Sequence, residues 1–120
     1  MIHFMRLHDE PFREIRSGEK SYEIRLNDQK RKRLRKGDQI EFTKTAPYIE
    51  TLMVEVLDLI PYPNFKTLYS DLGMVSNEQS LESLLNDTYK TYTNNDEKQW
   101  GALAIKIKLL NDSLLRTIAH

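Results

Sequence analysis

The order and spacing of apolar residues predict an α+β fold, a small curved mixed sheet or partly open β-barrel with flanking helices. Two observations carry this reading. Strand-like segments occur at 2–7, 20–26, 39–43, 51–60 and 103–109, most of them alternating apolar with polar residues. Between them lie segments whose apolar residues recur three and four apart, at Phe12 and Ile15, at Phe65, Leu68, Tyr69 and Leu72, and at Leu81, Leu84, Leu85, Thr88, Tyr89 and Tyr92. With 120 residues and no linker or repeat, the chain reads as a single domain over 1–110 with a C-terminal extension at 111–120. A chain of this length buries roughly two-thirds of its unfolded surface, enough for a core without covalent staples.

Each element has a local reason. After the first strand, Asp9 is placed to cap a helix, with Pro11 in the first turn, where its missing N–H costs little, and Gly18 as the stop. In the strand at 20–26, Tyr22, Ile24 and Leu26 share one face and are expected inward, which leaves Glu23 and Arg25 on the wet face. Gly37-Asp38 turns the chain into Ile40 and Phe42. Leu52, Val54 and Val56 line one face of a longer strand. The phase then shifts to Leu57 and Leu59, as at a bulge, and Pro61 and Pro63 end the segment. Asn64 caps the next helix and Gly73 stops it, while Ser76 with Gln79 resembles a capping box for the third. Residues 93–97 read as a polar loop before Leu103, Ile105, Ile107 and Leu109. The last eleven residues are expected to add a helical turn or to fray.

Composition narrows the chemistry. The chain has no cysteine, which excludes disulfides, a thiolate nucleophile and cysteine-based zinc sites. His3, His8 and His120 lack metal-ligand spacing, and neither a Gly-rich phosphate loop nor a G-x-S-x-G elbow is present. No cofactor and no metal are expected. The N-terminal residues do not resemble a signal peptide, and no apolar run approaches the ~20 residues of a membrane helix, so the expected location is the cytoplasm, with no membrane partner. Net charge is zero but unevenly spread. Residues 1–44 carry a surplus of four positive charges and residues 45–100 a deficit of six. Such a dipole orients a polyanion without general stickiness.

The positive charge concentrates in Lys30, Arg31, Lys32, Arg33, Arg35 and Lys36, six of seven consecutive residues that include room for one helical turn. Beside this run stand Lys20, Glu23 and Arg25. Lys20 suits a phosphate contact or proton transfer. Arg25 suits a forked pair with a phosphate or with Glu23, and Glu23 suits accepting a hydrogen bond from the exocyclic amino group of a base. The plainer alternatives are a solvated charge run and a surface salt-bridge cluster contributing about 0–1 kcal/mol per pair. Tyr48, Tyr62 and Trp100 fall in loops or at strand edges, where aromatic rings stack on unpaired bases or simply cover a core edge.

Several of these residues together resemble a known family. Met5-Arg6-Leu7, Pro11-Phe12-Arg13-Glu14-Ile15-Arg16-Ser17-Gly18, Lys20-x-x-Glu23-x-Arg25-Leu26 and Gly37-Asp38-x-Ile40-x-Phe42 are similar to the ASCH (activating-signal-cointegrator homology) domain. Gln99-Trp100-Gly101-Ala102-Leu103-Ala104-Ile105 resembles that family's aromatic–Gly step into its closing strand. The resemblance covers roughly residues 2 to 110. It implies a PUA-like β-barrel and a role in binding RNA or a nucleotide-like ligand in a basic cleft, with Lys20, Glu23, Arg25, the 30–36 loop and Trp100 as contacts.

It also implies an alternative. Some small ASCH proteins are amidohydrolases that deacylate N4-acetylcytidine, using a Lys at the position of Lys20, a Thr at the position of Glu23 and a later Glu. In that reading Lys20 and Glu23 are catalytic. However, Glu23 replaces the hydroxyl nucleophile, and a carboxylate there engages Lys20 as an ion pair rather than leaving a free amine. The later acid has no single match among Asp71, Glu78 and Glu82.

Overall fold

The computed structural model describes residues 1–112. The expected behaviour of the chain beyond Asp112 lies outside the described residues. In order come β1 (Ile2–Arg6), α1 (Asp9–Ser17), β2 (Tyr22–Leu26), a 3₁₀ turn (Arg31–Arg33), β3 (Gln39–Lys44), β4 (Glu50–Tyr62), α2 (Phe65–Asp71), α3 (Leu81–Tyr89), α4 (Asn94–Trp100) and β5 (Ala102–Asp112). The strands form one mixed sheet in the order β1-β3-β4-β5-β2, which makes the fold α+β as expected. The chain divides into two compact units. Of the described residues, the first comprises Met1–Glu23, Leu34–Leu59 and those from Ile105 to Asp112; the second comprises Ile24–Arg33 and Ile60–Ala104.

In the first unit, β1 pairs in parallel with β3, aligning Met5 with Phe42, and β3 pairs antiparallel with β4, aligning Ile40 with Val54 and Phe42 with Leu52. Side chains alternate across a strand, so these positions fall on one face, and Ile40, Phe42, Leu52 and Val54 are all buried. Helix α1 adds Phe12 and Ile15, spaced three apart, to the same unit's core. Burying each such side chain stabilises the fold by about 1.5–3 kcal/mol. Gly18 ends α1 in the left-handed region, at φ 86°, with its N–H on the Ile15 carbonyl. The cap at the other end differs from expectation. His8 is the N-cap residue and makes no side-chain cap bond, while Asp9 is drawn into the first turn, where its carboxylate meets Lys44. The expected inward shift at Leu57 is absent: Val56 is buried and Leu57 is 40% exposed.

In the second unit, Asn64 caps α2 by accepting the Thr67 N–H at 2.8 Å, and Phe65, Leu68 and Tyr69 are buried. The Phe65 ring stacks on Tyr92 with centroids 5.6 Å apart. Helix α3 starts later than the sequence suggests. Ser76 and Gln79 close a separate turn, and Ser80 is the cap, accepting the Ser83 N–H at 3.1 Å. The apolar stripe of α3 is half-buried, apart from the exposed Tyr89, and none of its residues lies wholly in the core. Two further differences appear here. Strand β4 runs through Pro61 to Tyr62. Residues 94–100 form α4 where a loop was expected, because Thr93 and Asp96 make a reciprocal capping box that offsets the weak helix propensity of Asn94-Asn95-Asp96. Gly101 then sits at φ 73°, ψ −172°, and a Cβ there would lie 2.7 Å from the Tyr62 carbonyl oxygen.

Candidate functional site

The first unit fixes Lys20 and Glu23 through backbone bonds. After Gly18 reverses the chain, the Lys20 N–H donates to the Glu14 carbonyl at 3.1 Å, and the Ser21 carbonyl accepts the Ile107 N–H at 2.9 Å. These contacts set the register of the residues that follow. Lys20 Nζ lies 3.1 Å from Glu23 Oε1, with the lysine side chain 24% exposed and the glutamate side chain 4% exposed. The pair was expected; its burial was not. Glu23 is buried together with Leu26, while Tyr22, Ile24 and Arg25 are each half-buried, so β2 has no wet face for the alternation to reveal. Withdrawing a carboxylate from water costs several kcal/mol unless it is paired, so Lys20 is integral to this arrangement. Glu23 also has interactions beyond Lys20.

A second charge network in the same unit was not anticipated. Lys44 continues the inward phase of Ile40 and Phe42 and is only 5% exposed. Its ammonium reaches Asp9 Oδ1 at 2.5 Å and Glu50 Oε2 at 2.7 Å, and the other Glu50 oxygen accepts from Arg16 Nη2 at 2.8 Å. Both cations also lie near the Phe12 ring, Arg16 Cζ at 4.9 Å and Lys44 Nζ at 5.5 Å from its centroid. The hydrogen bonds that Lys44 donates to Asp9 and then to Glu50 hold its ammonium pKa above the ordinary range. Lys44 holds both carboxyls below theirs, with Arg16 adding to the effect on Glu50. The signal available in the sequence was a lysine at an inward strand position.

The basic run separates into residues with different roles. In the second unit, Asp28 accepts the Arg31 N–H at 3.1 Å and Arg31 Nη1 at 3.3 Å, and Arg31 is 16% exposed with its Nε enclosed and without a hydrogen-bond partner. Lys30, Lys32 and Arg33 are on the surface or close to it; Lys32 is engaged in interactions, whereas neither Lys30 nor Arg33 forms an ion pair among the described residues. In the first unit, Lys36 pairs with Asp58 at 3.3 Å, and Arg35 donates through Nη1 to the Leu34 carbonyl. The Leu59 N–H and then Lys36 hold the Asp58 carboxyl below its ordinary range. Asp38 accepts the Arg35 N–H at 3.0 Å and pairs with His3 Nε2 at 2.8 Å; the His3 contact is the larger cause holding its carboxyl low.

The remaining candidates are dispersed. Arg25 is half-buried and engaged, and Trp100 is half-buried at the end of α4 rather than in a loop. Tyr48 is 76% exposed, whereas the Tyr62 hydroxyl is held by Asp71. Among the described residues, no cluster of three or more His, Asp or Glu side chains is arranged to hold a metal ion, and no helix is long and apolar enough to cross a membrane.

A mixed sheet ordered β1-β3-β4-β5-β2, with a lysine–carboxylate pair directly after the first helix, defines a class of small α+β domain. The chain belongs to the ASCH domain family, whose profile matches residues 5–111. Among solved structures it is similar to the hypothetical protein PH0355, with 29% identity over 92% of this chain and all of that one, at a TM-score of 0.81. It is also similar to protein PF0455 from Pyrococcus furiosus, with 28% identity over 92% of this chain and 98% of that one, at a TM-score of 0.73. A mutant of ZmASCH from Zymomonas mobilis, 15% identical over 92% of this chain and 73% of that one, has the same fold at a TM-score of 0.58. No curated protein matches the chain.

Proposed function

We propose that this ASCH domain binds single-stranded RNA or a nucleotide-like ligand in the cytoplasm, and that Lys20 and Glu23 provide its polar recognition. The observation that carries the reading is the 3.1 Å pair itself, in which a carboxylate with 4% of its side chain exposed orients an ammonium that solvent still reaches. A long flexible lysine held this way presents its remaining donors in a fixed direction, which favours a phosphate or carbonyl oxygen of the ligand. Glu23 sets that direction and contributes an acceptor for an exocyclic amino group. The basic run supplies sequence-independent attraction to phosphates. The family's association with RNA binding supports the same reading.

The test is binding of short homopolymeric RNAs, read by fluorescence anisotropy. Lys20→Gln should weaken every complex. Glu23→Gln keeps the shape but removes the charge, so it should erode discrimination between bases more than affinity. Equal losses for all four homopolymers in Glu23→Gln would refute base reading, and no RNA binding by the native chain would refute the proposal as a whole.

A further inference from the structure

The 3₁₀ turn divides the basic run into an anchor and a free pair. Asp28 builds the turn: its carboxylate takes the Arg31 N–H and guanidinium, and its carbonyl takes the Lys32 N–H at 3.0 Å. Arg31 is thereby held against the protein. Its side chain is 16% exposed, and its Nε is shut away from any acceptor. The Arg33 N–H donates to the Lys30 carbonyl at 3.4 Å, the i to i+3 bond of this geometry. Side chains three apart in a 3₁₀ turn eclipse one another, displaced along the axis by roughly 6 Å. Lys30 and Arg33 therefore project from the same side of the turn. Both are exposed, and neither forms an ion pair among the described residues.

We propose that Lys30 and Arg33 form a two-cation subsite that closes on a single phosphate group of RNA, presented by a turn that Asp28 caps and Arg31 anchors. This rests on the reading of the protein as an RNA binder and names the phosphate contact within the basic run. Two cations whose attachment points lie this close repel each other in the free protein, and an anion between them relieves that repulsion. Arg33 supplies a planar fork of donors for two phosphate oxygens, and Lys30 supplies a compact charge for a third. Arg31 and Asp28 are positioning residues that do not touch the ligand.

The subsite is testable with a fluorescein-labelled twelve-nucleotide single-stranded RNA, by anisotropy over a series of salt concentrations. Lys30→Gln/Arg33→Gln should weaken binding about tenfold near physiological salt and reduce the slope of log affinity against log salt by about 0.7, the value for one phosphate on a single strand. Lys66→Gln/Lys90→Gln removes equal charge elsewhere in the same unit and should leave affinity within about twofold and the slope unchanged. Circular dichroism confirms that each variant is folded. If the native chain binds and Lys30→Gln/Arg33→Gln retains both affinity and slope, the subsite is wrong and the RNA reading survives. Equal losses in the two double variants likewise overturn the subsite, leaving only diffuse charge attraction. If the native chain binds no RNA at any salt concentration, the functional reading fails and the subsite with it.

Discussion

Two of the lysine–carboxylate sites in the first unit, at Lys44 and at Lys20, differ in the number of carboxylates and in which partner is buried. Lys44 is 5% exposed and shared between Asp9 and Glu50, whereas Lys20 is 24% exposed and pairs with one carboxylate, Glu23. In the first, two acids share the ammonium, and the lysine is withdrawn from solvent. In the second, the acid is the buried partner and the ammonium remains accessible. The number of carboxylates around a lysine, together with which partner is buried, separates a cation that holds the fold from one that can meet a ligand.

That distinction can be broken in four ways. Lys44→Met should have the largest effect, because it leaves Asp9 and Glu50 facing each other and Arg16 with an excess of acid. The unfolding midpoint should fall by on the order of 10 °C, measured by thermal melts. A smaller shift than for Lys20→Met would reverse the assignment. Next comes pH. The carboxyls of Asp9 and Glu50 are held below their ordinary values of 3.8 and 4.5, so their stabilisation is complete above those values and is lost as pH falls through the lower values of the folded state. Lys44 is raised above 10.5, so its contribution holds below that value and is lost only in stronger base. Urea midpoints should therefore be level near neutrality and drop below about pH 4. Asp9→Asn/Glu50→Gln should show a shallower acid drop than the native chain; an unchanged profile would count against the network.

Lys20→Met should cost less stability, about 1–2 kcal/mol by denaturant titration, because Glu23 keeps its other interactions. The same variant should lose most of its RNA affinity, a split that Lys44→Met should not show once corrected for unfolded protein. The smallest expected effect is none at all. Incubation with N4-acetylcytidine should release no acetate above a Lys20→Ala control, since Lys20 is engaged as an ion pair and no hydroxyl stands at position 23. Acetate release that disappears in both Lys20→Ala and Glu23→Gln would instead make this an amidohydrolase, with Glu23 as general base on water.

The sequence was most readable where one local rule decided the outcome. Gly18 and Asn64 end or start helices as their chemistry requires, and Ile40 with Phe42 faces inward as period-two alternation requires. It was least readable where distant residues decided. Glu23 looked wet because alternation assumes one covered face, and β2 is covered more evenly than that. Asp9 looked like a cap because Lys44, thirty-five residues away, was invisible as its competitor. Helix α4 was hidden by Asn94-Asn95-Asp96, whose poor propensity is offset by a capping box with Asp where Glu is usual. The basic run was evident as charge. Its division into the anchored Arg31 and the paired Lys30 and Arg33 depended on the handedness and pitch of a single turn.

Gly101 has a genetic consequence. Its obstacle is the Tyr62 carbonyl oxygen, 2.7 Å from where a Cβ would stand, and its backbone lies in a region reserved for glycine. Both constraints are set by main chain, and no side-chain change at a neighbouring position moves a carbonyl oxygen out of the way. Second-site suppressors that rescue core mutations by refilling volume have no counterpart here. Gly101→Ala is therefore suited to serve as the loss-of-fold reference in any mutational scan, the fixed point against which alleles that spare folding and abolish binding are recognised.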